Sequence, residues 1–235
     1  MCRMATTLVV QVVLVAVLSA GCERSSPRMS PGSSGRPAAT AGSAEPAPCA
    51  RSWCRAGDPI PLGSGWSVRL WSSPTPGGGV GSIAATPVLE LLRDARHVQW
   101  WIATMGFAWE ASLTCLAAGP EPNCVVASVE GAHAGSAEVV LLRSGALVGP
   151  ARARVVFDSG APDAADLDGD GYLDVVGSDS DYRPSYATGH NFWATYRFGA
   201  DALVETGCAP RPSGTAPRPD HLLFGPCPSR PGGAA

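Results

Sequence analysis

Short apolar stretches alternate along the chain with clusters of glycine, proline, aspartate and serine. Most stretches are four to eight residues long and rich in valine, isoleucine, tryptophan or tyrosine, as β-strands are. Their spacing, often 8–15 residues, is typical of a sandwich or a propeller. The pattern therefore predicts an all-β chain with strands at Trp66–Trp71, Val88–Leu92, Val98–Met105, Val125–Glu130, Glu138–Arg143, Arg154–Phe157, Asp174–Gly177, Asn191–Arg197 and Ala202–Glu205.

One segment is compatible with two structures. Thr86 and Pro87 precede the run VLELLRDARH, and a threonine followed by a proline can cap and open a helix. A capping box would place its glutamate three residues after the cap, whereas Glu90 lies four residues after Thr86. The alternative is a hairpin that turns at Asp94 and Ala95 and continues into HVQWWIATM. Because the rest of the chain has a β pattern, we predict the hairpin.

Residues 1–21 have the pattern of an export signal. A basic start at Arg3 is followed by the apolar run Leu8–Leu18 and then by small residues that lead to Cys22. The run is shorter than the roughly 20 residues that a membrane-spanning helix needs, so an N-terminal membrane anchor is the weaker alternative.

The small residues before Cys22 resemble the lipobox of bacterial lipoproteins. The resemblance implies that Cys22 is lipidated and becomes the mature N-terminus, which would attach the protein to a membrane. Leu18 lies one place further from Cys22 than the family prefers, so ordinary secretion is the alternative. We expect an extracytoplasmic location, with the outer membrane or cell surface favoured over the inner membrane.

Residues 22–48 are predicted to form a disordered linker. Glu23 to Pro48 contains five prolines, six serines and no leucine, isoleucine, valine, phenylalanine, tryptophan or tyrosine. Such a segment cannot bury enough apolar surface to offset the entropy of ordering it. We expect one β-rich domain at 49–208 and a proline-rich tail at 209–235.

Six cysteines remain after the signal and Cys22. An even number in an oxidising compartment predicts disulfides, and their spacing favours three local pairs. One pair would close the turn LAAGPEPN, and another would staple the C-terminal tail. A zinc site is the rival interpretation, but it lacks a C-x-x-C pair. The predicted disulfides are Cys49–Cys54, Cys115–Cys124 and Cys208–Cys227.

The segment ADLDGDGYLDVVGS predicts a calcium-binding loop. Calcium takes six to eight oxygen ligands at about 2.3–2.6 Å, and alternate aspartates on a tightly turned backbone supply them. Gly171 stands at position 6 of the loop, where the sharp turn excludes a side chain. An EF-hand is excluded because position 12 is Gly177 rather than glutamate and because the loop leads into a strand. The predicted Ca²⁺ ligands are Asp166, Asp168, Asp170, the Tyr172 carbonyl and Asp174.

The pattern D-x-D-G-D-G-x-x-D followed by an apolar strand resembles the FG-GAP/VCBS-type repeat, the calcium loop of integrin-α-like β-propeller blades. In that family the loop joins two strands of one blade. The resemblance covers about Val155 to Thr206, and the loop occurs once, whereas such propellers carry several repeats. It implies antiparallel, blade-like sheets in an incomplete or degenerate β-propeller-like fold, with a β-sandwich as the alternative.

Catalytic patterns are missing from the sequence. The four histidines form no H-x-x-x-H or H-E-x-x-H pattern, no G-x-S-x-G elbow occurs, and the glycine-rich stretch at 77–81 lacks the lysine of a P-loop. His190 could join an acid–base pair with Asp179 or Asp181, although an exposed loop histidine is the ordinary outcome. Seven tryptophans could form an exposed row that stacks sugar rings, but we expect most of them in the core.

These observations favour a non-enzymatic, calcium-stabilised module of the cell envelope with a structural or partner-binding role. The formal net charge of −3 gives no indication of a nucleic-acid partner. An envelope protein or a glycan is the expected kind of partner. Two alternatives stay open, a secreted hydrolase that acts on glycans and an envelope assembly protein.

Overall fold

The computed structural model describes residues 54–73, 84–131, 134–183, 189–212 and 216–229. The predicted signal, Cys22, the linker and Cys49 lie outside these ranges. Fourteen strands occupy the described residues, which contain no helix. The strands are β1 (Arg55–Ala56), β2 (Ile60–Gly63), β3 (Trp66–Ser72), β4 (Val88–Arg93), β5 (Arg96–Ile102), β6 (Glu110–Leu116), β7 (Asn123–Gly131), β8 (Ala134–Arg143), β9 (Ala146–Val148), β10 (Arg154–Phe157), β11 (Ser159–Ala165), β12 (Asp174–Ser180), β13 (Asn191–Gly199) and β14 (Ala202–Pro210).

The strands form three separate antiparallel sheets, each built from a contiguous part of the chain. In the first sheet β3, β4 and β5 follow one another, and β1 and β2 pair with the free side of β3. In the middle sheet β6, β7 and β8 follow one another, and β9 and β10 share the far side of β8. The third sheet is the meander β11-β12-β13-β14. Each sheet is thus a four-row meander, and this confirms the prediction of all-β, blade-like sheets.

The middle sheet lies between the other two. Val125 and Val139 pack with Val175 and Phe192 of the third sheet in one apolar cluster. Their neighbours on the other face, such as Val126, pack with the first sheet in a second cluster. Strands β7 and β8 are therefore buried on both faces along most of their length.

The sheets also contact each other at their outer strands. On one side β2 contacts β6, and β6 contacts β11; on the other side β5 contacts β9, and β10 contacts β14. None of the three sheets closes into a barrel within the described ranges.

The interface between the middle and third sheets is tight at Gly177. A Cβ atom on Gly177 would lie 2.2 Å from the ring of Phe157, which is fully buried. The Phe157 ring also meets Tyr196 edge-on, with 5.5 Å between ring centroids. The missing side chain in β12 thus makes room for an aromatic ring from β10.

The ambiguous segment after Thr86 is a hairpin, as predicted. Strands β4 and β5 pair from Val88–Ile102 to Arg93–Arg96. The two turn residues, Asp94 and Ala95, have φ values of 48° and 61°. Positive φ at both central positions is the property of the type I′ turn, which matches the twist of a two-residue hairpin.

Candidate metal centre

The predicted calcium loop connects β11 to β12 in the third sheet. Ala165 pairs with Asp174, so the loop is the tip of a hairpin. Backbone amides inside the loop donate to the aspartates: Gly169 N and Gly171 N donate to Asp166 at 2.8 and 3.1 Å. Gly171 has a φ of 86°, which favours glycine. The tip is therefore curled so that its amides face its own carboxylates.

Three of the four predicted carboxylates converge. Asp166, Asp168 and Asp174 each place one oxygen so that the three oxygens lie within 4.8 Å of one another. Oxygens that surround a calcium ion at about 2.3–2.6 Å are separated by at most about 5 Å, so these oxygens fit the ion. Hard carboxylate oxygens are also the ligands that calcium prefers.

Asp170 stands outside this group. Its Oδ1 accepts from Tyr172 N at 2.9 Å, and its Oδ2 accepts from Arg197 Nη2 at 2.9 Å. The guanidinium of Arg197 also lies 2.8 Å from Asp168 Oδ2 through its Nε. The hydrogen bond with Asp170 and the charge of Asp168 raise the pKa of Arg197.

Asp174 is fully buried at the base of the loop. Burial raises its pKa to about 6, although the amides of Leu167 and Phe198 donate to its two oxygens at 3.0 and 3.1 Å and oppose that shift. The nearby charges of Asp168 and Asp170 raise it as well. A buried carboxylate with this environment gains stability from a bound cation.

Asn123, at the start of β7 in the middle sheet, holds the loop from outside. Its Oδ1 accepts from Leu173 N at 2.8 Å, and its Nδ2 donates to Gly171 O at 3.1 Å. Asn123 is 1% exposed, so both bonds are shielded from water. One side chain therefore joins the candidate metal loop to the neighbouring sheet.

The loop also touches the turn at 117–122 that precedes Asn123. A Cβ atom on Gly119 would lie 2.3 Å from Gly171 O, and one on Gly171 would lie 2.7 Å from Pro120 Cδ. Gly119 has a φ of 131°. The two backbones therefore approach more closely than any side chain would allow.

Charged side chains surround this contact. Arg143 donates to both oxygens of Glu121 at 2.7 Å and to Asp201 at 2.7 Å. The Tyr172 hydroxyl donates to Glu121 at 3.3 Å, and its ring packs 5.5 Å from Phe198. The Tyr172 side chain therefore packs outside the loop, which is compatible with a metal ligand at its backbone carbonyl. That the carbonyl binds a metal stays a prediction.

Two of the three predicted disulfides are present. Cys115 and Cys124 are directly opposite each other in β6 and β7 and close the turn at 117–122. Cys208 and Cys227 join β14 to the tail, whose Gly225 also accepts a hydrogen bond from Cys208 N at 3.0 Å. Cys54 is bonded to none of the described cysteines. Its predicted partner Cys49 lies outside the described residues, so that pair stays a prediction.

His190 is an exposed histidine, the ordinary outcome expected from the sequence, and its ring contacts Asp181. His190 Nδ1 lies 2.9 Å from Asp181 Oδ2, and the backbone amides of Arg183 and His190 donate to Oδ1 at 3.0 and 2.8 Å. The His190 side chain is 85% exposed. An apolar groove of about 250 Å³ lies beside it, between the ends of β13 and β14 and the prolines of the tail.

A buried carboxylate that the sequence did not single out lies on the first sheet. Glu90 is 4% exposed and accepts from Arg69 at 2.6 Å and from Trp71 at 2.9 Å, with His97 Nδ1 at 3.3 Å. Burial raises the pKa of Glu90, but these hydrogen bonds outweigh it and the net pKa is lowered. The sequence of β4 could have indicated this position, since Glu90 interrupts the apolar run VLELL.

The described tryptophans are less buried than expected. None of these six is fully buried, and Trp109 is 39% exposed. Arginine side chains lie over three of them: Arg69 over Trp71, Arg93 over Trp66 and Arg211 over Trp193. Trp101 packs in the cluster between the first and middle sheets, whereas Trp100 stacks on His97 at 4.4 Å. The two neighbours therefore serve opposite faces of β5.

No helix in the described part of the chain has the length and apolarity needed to cross a bilayer. Comparison of the chain with protein-family models, with curated proteins and with solved structures finds no match.

Proposed function

We propose that this protein is an extracytoplasmic, lipid-anchored β module of the cell envelope in which calcium fastens the third sheet to the middle sheet. The calcium loop would be of the FG-GAP/VCBS type, with Asp166, Asp168 and Asp174 as its first ligands. Its role is structural or supports the binding of an envelope partner. The observation that carries the proposal is the convergence of three carboxylates in a loop that Asn123 holds against the neighbouring sheet.

The position of the loop supports a structural role for the metal. Asp174 begins β12, and Asp174 also accepts from Phe198 N in β13. A cation between Asp166, Asp168 and Asp174 would neutralise charges that otherwise repel each other at one end of the third sheet. It would therefore favour the same conformation that Asn123 and the turn at 117–122 recognise.

The surroundings of Glu90 favour this role over the alternative of a glycan hydrolase. A glycosidase places two carboxylates about 5–10 Å apart on either side of the substrate. Glu90 is the buried carboxylate that lies among tryptophans, and its oxygens are engaged by Arg69, Trp71 and His97. A carboxylate held in this way is ionised and unsuited to donate a proton.

Thermal unfolding with and without calcium tests the proposal. Modules of this kind bind calcium with dissociation constants of about 0.1–1 mM. At about 5 mM CaCl₂ the native state should gain roughly 1–2 kcal/mol over the same protein in EGTA. For a domain of this size we expect the melting temperature to rise by about 3–8 °C.

Two variants make the test specific. Asp168→Ala should abolish the calcium-dependent rise, because it removes one of the three converging carboxylates. Asp163→Ala removes a nearby carboxylate of β11 that pairs with Arg218 of the tail, and it should leave the rise intact. A wild-type melting temperature that does not respond to calcium, together with no effect of Asp168→Ala, would refute calcium stabilisation.

A further inference from the structure

Arg197 lies beside the calcium loop although it is 27 residues beyond Asp170 in the chain. Tyr196 pairs with Val175, so the next residue of β13 reaches the start of β12, where the loop ends. The Arg197 side chain is 50% exposed, while those of Asp168 and Asp170 are 24% and 25% exposed. Its guanidinium therefore approaches the loop from the solvent side.

The guanidinium contacts one carboxylate oxygen, Oδ2, of both Asp168 and Asp170. In each aspartate, Oδ1 accepts a backbone amide of the loop and Oδ2 contacts Arg197. A guanidinium carries hydrogen-bond donors and no acceptor. It can therefore pair with carboxylates, but it cannot coordinate a metal ion.

Calcium and the guanidinium compete for these carboxylates. Both are cations, so a calcium ion bound to Asp168 and Asp170 would be repelled by the guanidinium, whose Nε lies 2.8 Å from Asp168 Oδ2. The ion pairs of Arg197 are partly exposed, so they are weak enough for a divalent ion to displace.

We propose that Arg197 is the affinity-determining residue of the calcium loop: it neutralises Asp168 and Asp170 when no metal is bound, and calcium must displace it. The inference rests on the proposed calcium site and deepens it. The loop carboxylates would then have two alternative counter-ions, the guanidinium of Arg197 and a calcium ion from solution. Competition by Arg197 would raise the dissociation constant for calcium, so the site would fill at higher calcium concentrations than it would without the arginine.

Calorimetric titration with CaCl₂ of the full mature chain tests this inference. Arg197→Gln should bind calcium about three- to thirtyfold more tightly than wild type, since two partly exposed ion pairs no longer oppose the metal. In EGTA the same variant should melt at a lower temperature than wild type, because its loop carboxylates lose their counter-ion. The variant would then bind calcium more tightly while its metal-free form is less stable. A general loosening of the fold would weaken calcium binding instead.

Arg154→Gln is the matched control. Like Arg197, Arg154 is an exposed strand arginine; it pairs with Glu130 at 3.1 Å in the middle sheet, so the variant removes the same charge elsewhere. It should leave calcium affinity within about twofold of wild type. If Arg154→Gln tightens binding as much as Arg197→Gln does, net charge rather than contact with the loop sets the affinity, and the inference is wrong.

Displacement can be observed directly by the NMR signal of the Arg197 Nε–H group, identified by its loss in Arg197→Gln. Saturating calcium should shift this signal toward the position of a free guanidinium. A signal that stays in place, or an Arg197→Gln affinity no tighter than wild type, overturns the arginine inference while the calcium site stands. Failure of both proteins to bind calcium overturns both proposals together.

Discussion

Three buried carboxylates, those of Glu90, Asp174 and Asp181, have different hydrogen-bond donors. Glu90 has an arginine and a tryptophan as donors, whereas Asp174 has only two backbone amides and keeps a raised pKa. Asp181 stands at the other extreme, since backbone amides and His190 donate to it. Of these three carboxylates, the one whose pKa is raised is Asp174, at the candidate metal loop.

Asp181 gives a pH prediction. The amide of Arg183 and the side chain of His190 lower its pKa to about 2 from an ordinary value near 3.8. A lowered folded-state pKa stabilises the fold at pH values above about 4, and that contribution is lost as the pH falls toward 2. The free energy of unfolding of wild type should therefore exceed that of Asp181→Asn at pH 6 and approach it at pH 2.

Chemical denaturation at a series of pH values measures this difference. Asp58→Asn, at an exposed position, is the control and should give a small difference that does not change with pH. A difference between wild type and Asp181→Asn that stays constant from pH 6 to pH 2 would contradict the assigned stabilisation.

The residues of the candidate site divide into those that the sequence reveals and those that it hides. Asp166, Asp168 and Asp174 could be predicted because a metal loop is local and its spacing is set by one tight turn. Asn123 and Arg197 could not, because their contacts depend on how β7 and β13 lie beside the loop. The sequence around Asn123, which follows a proline, does not indicate contact with a distant aspartate loop. The aromatic strand around Arg197 does not indicate it either.

Two hairpin tips meet at the candidate metal loop. The tip of β6–β7 is closed by Cys115–Cys124, and the candidate metal loop is the tip of β11–β12. The two tips contact each other at Gly119 and Gly171. Conformation at the disulfide-closed tip should therefore influence the metal loop, although the two are some 50 residues apart.

Removal of the first disulfide tests this coupling. The chain-entropy model gives about 2.5–3 kcal/mol for a bridge that spans nine residues and slightly more for one that spans nineteen. Cys115→Ser with Cys124→Ser should lower stability by about this amount and also weaken calcium binding severalfold. Cys208→Ser with Cys227→Ser should lower stability similarly but leave calcium binding unchanged, because that bridge lies at the far end of β14.

Urea denaturation and calcium titration of both double variants provide the two measurements. Equal loss of calcium affinity in the two variants would show that the effect comes from general destabilisation and not from contact between the tips.

The predicted strands correspond to real ones wherever β-branched or aromatic residues are concentrated. Strands that the pattern missed are short or built from small and polar residues, such as Arg55–Ala56 and Ser159–Ala165. The latter, with the sequence SGAPDAA, is a strand because β12 pairs with it, and a local propensity does not report such pairing. The predicted strand at Val98–Met105 begins earlier, at Arg96, and ends at Ile102, while Met105 is buried in the following connection.

The molecule as a whole is organised around its middle sheet. The side chains of β7 and β8 contribute alternately to the cluster with the first sheet and to the cluster with the third. Loss of the middle sheet would expose both clusters at once, so its opening should require unfolding of the whole domain.

Hydrogen exchange followed by mass spectrometry checks this expectation. Peptides from Val125–Val129 and Ala137–Leu141 should exchange last, with rates that follow the global free energy of unfolding. Peptides from β2 and β5, at the two edges of the first sheet, should exchange much earlier. Equally slow exchange in β2 or β5 would contradict a domain organised around the middle sheet.

The hold of Asn123 on the loop has a consequence for the order in which the protein is assembled. A chain is synthesised from its N-terminus, so Asn123 and its turn are present well before the loop that they receive. Each sheet is contiguous in sequence, which lets the first two sheets pair before the third is complete. We therefore expect calcium to act late in folding, as a latch that closes when the last sheet docks, and to slow unfolding more than it speeds folding.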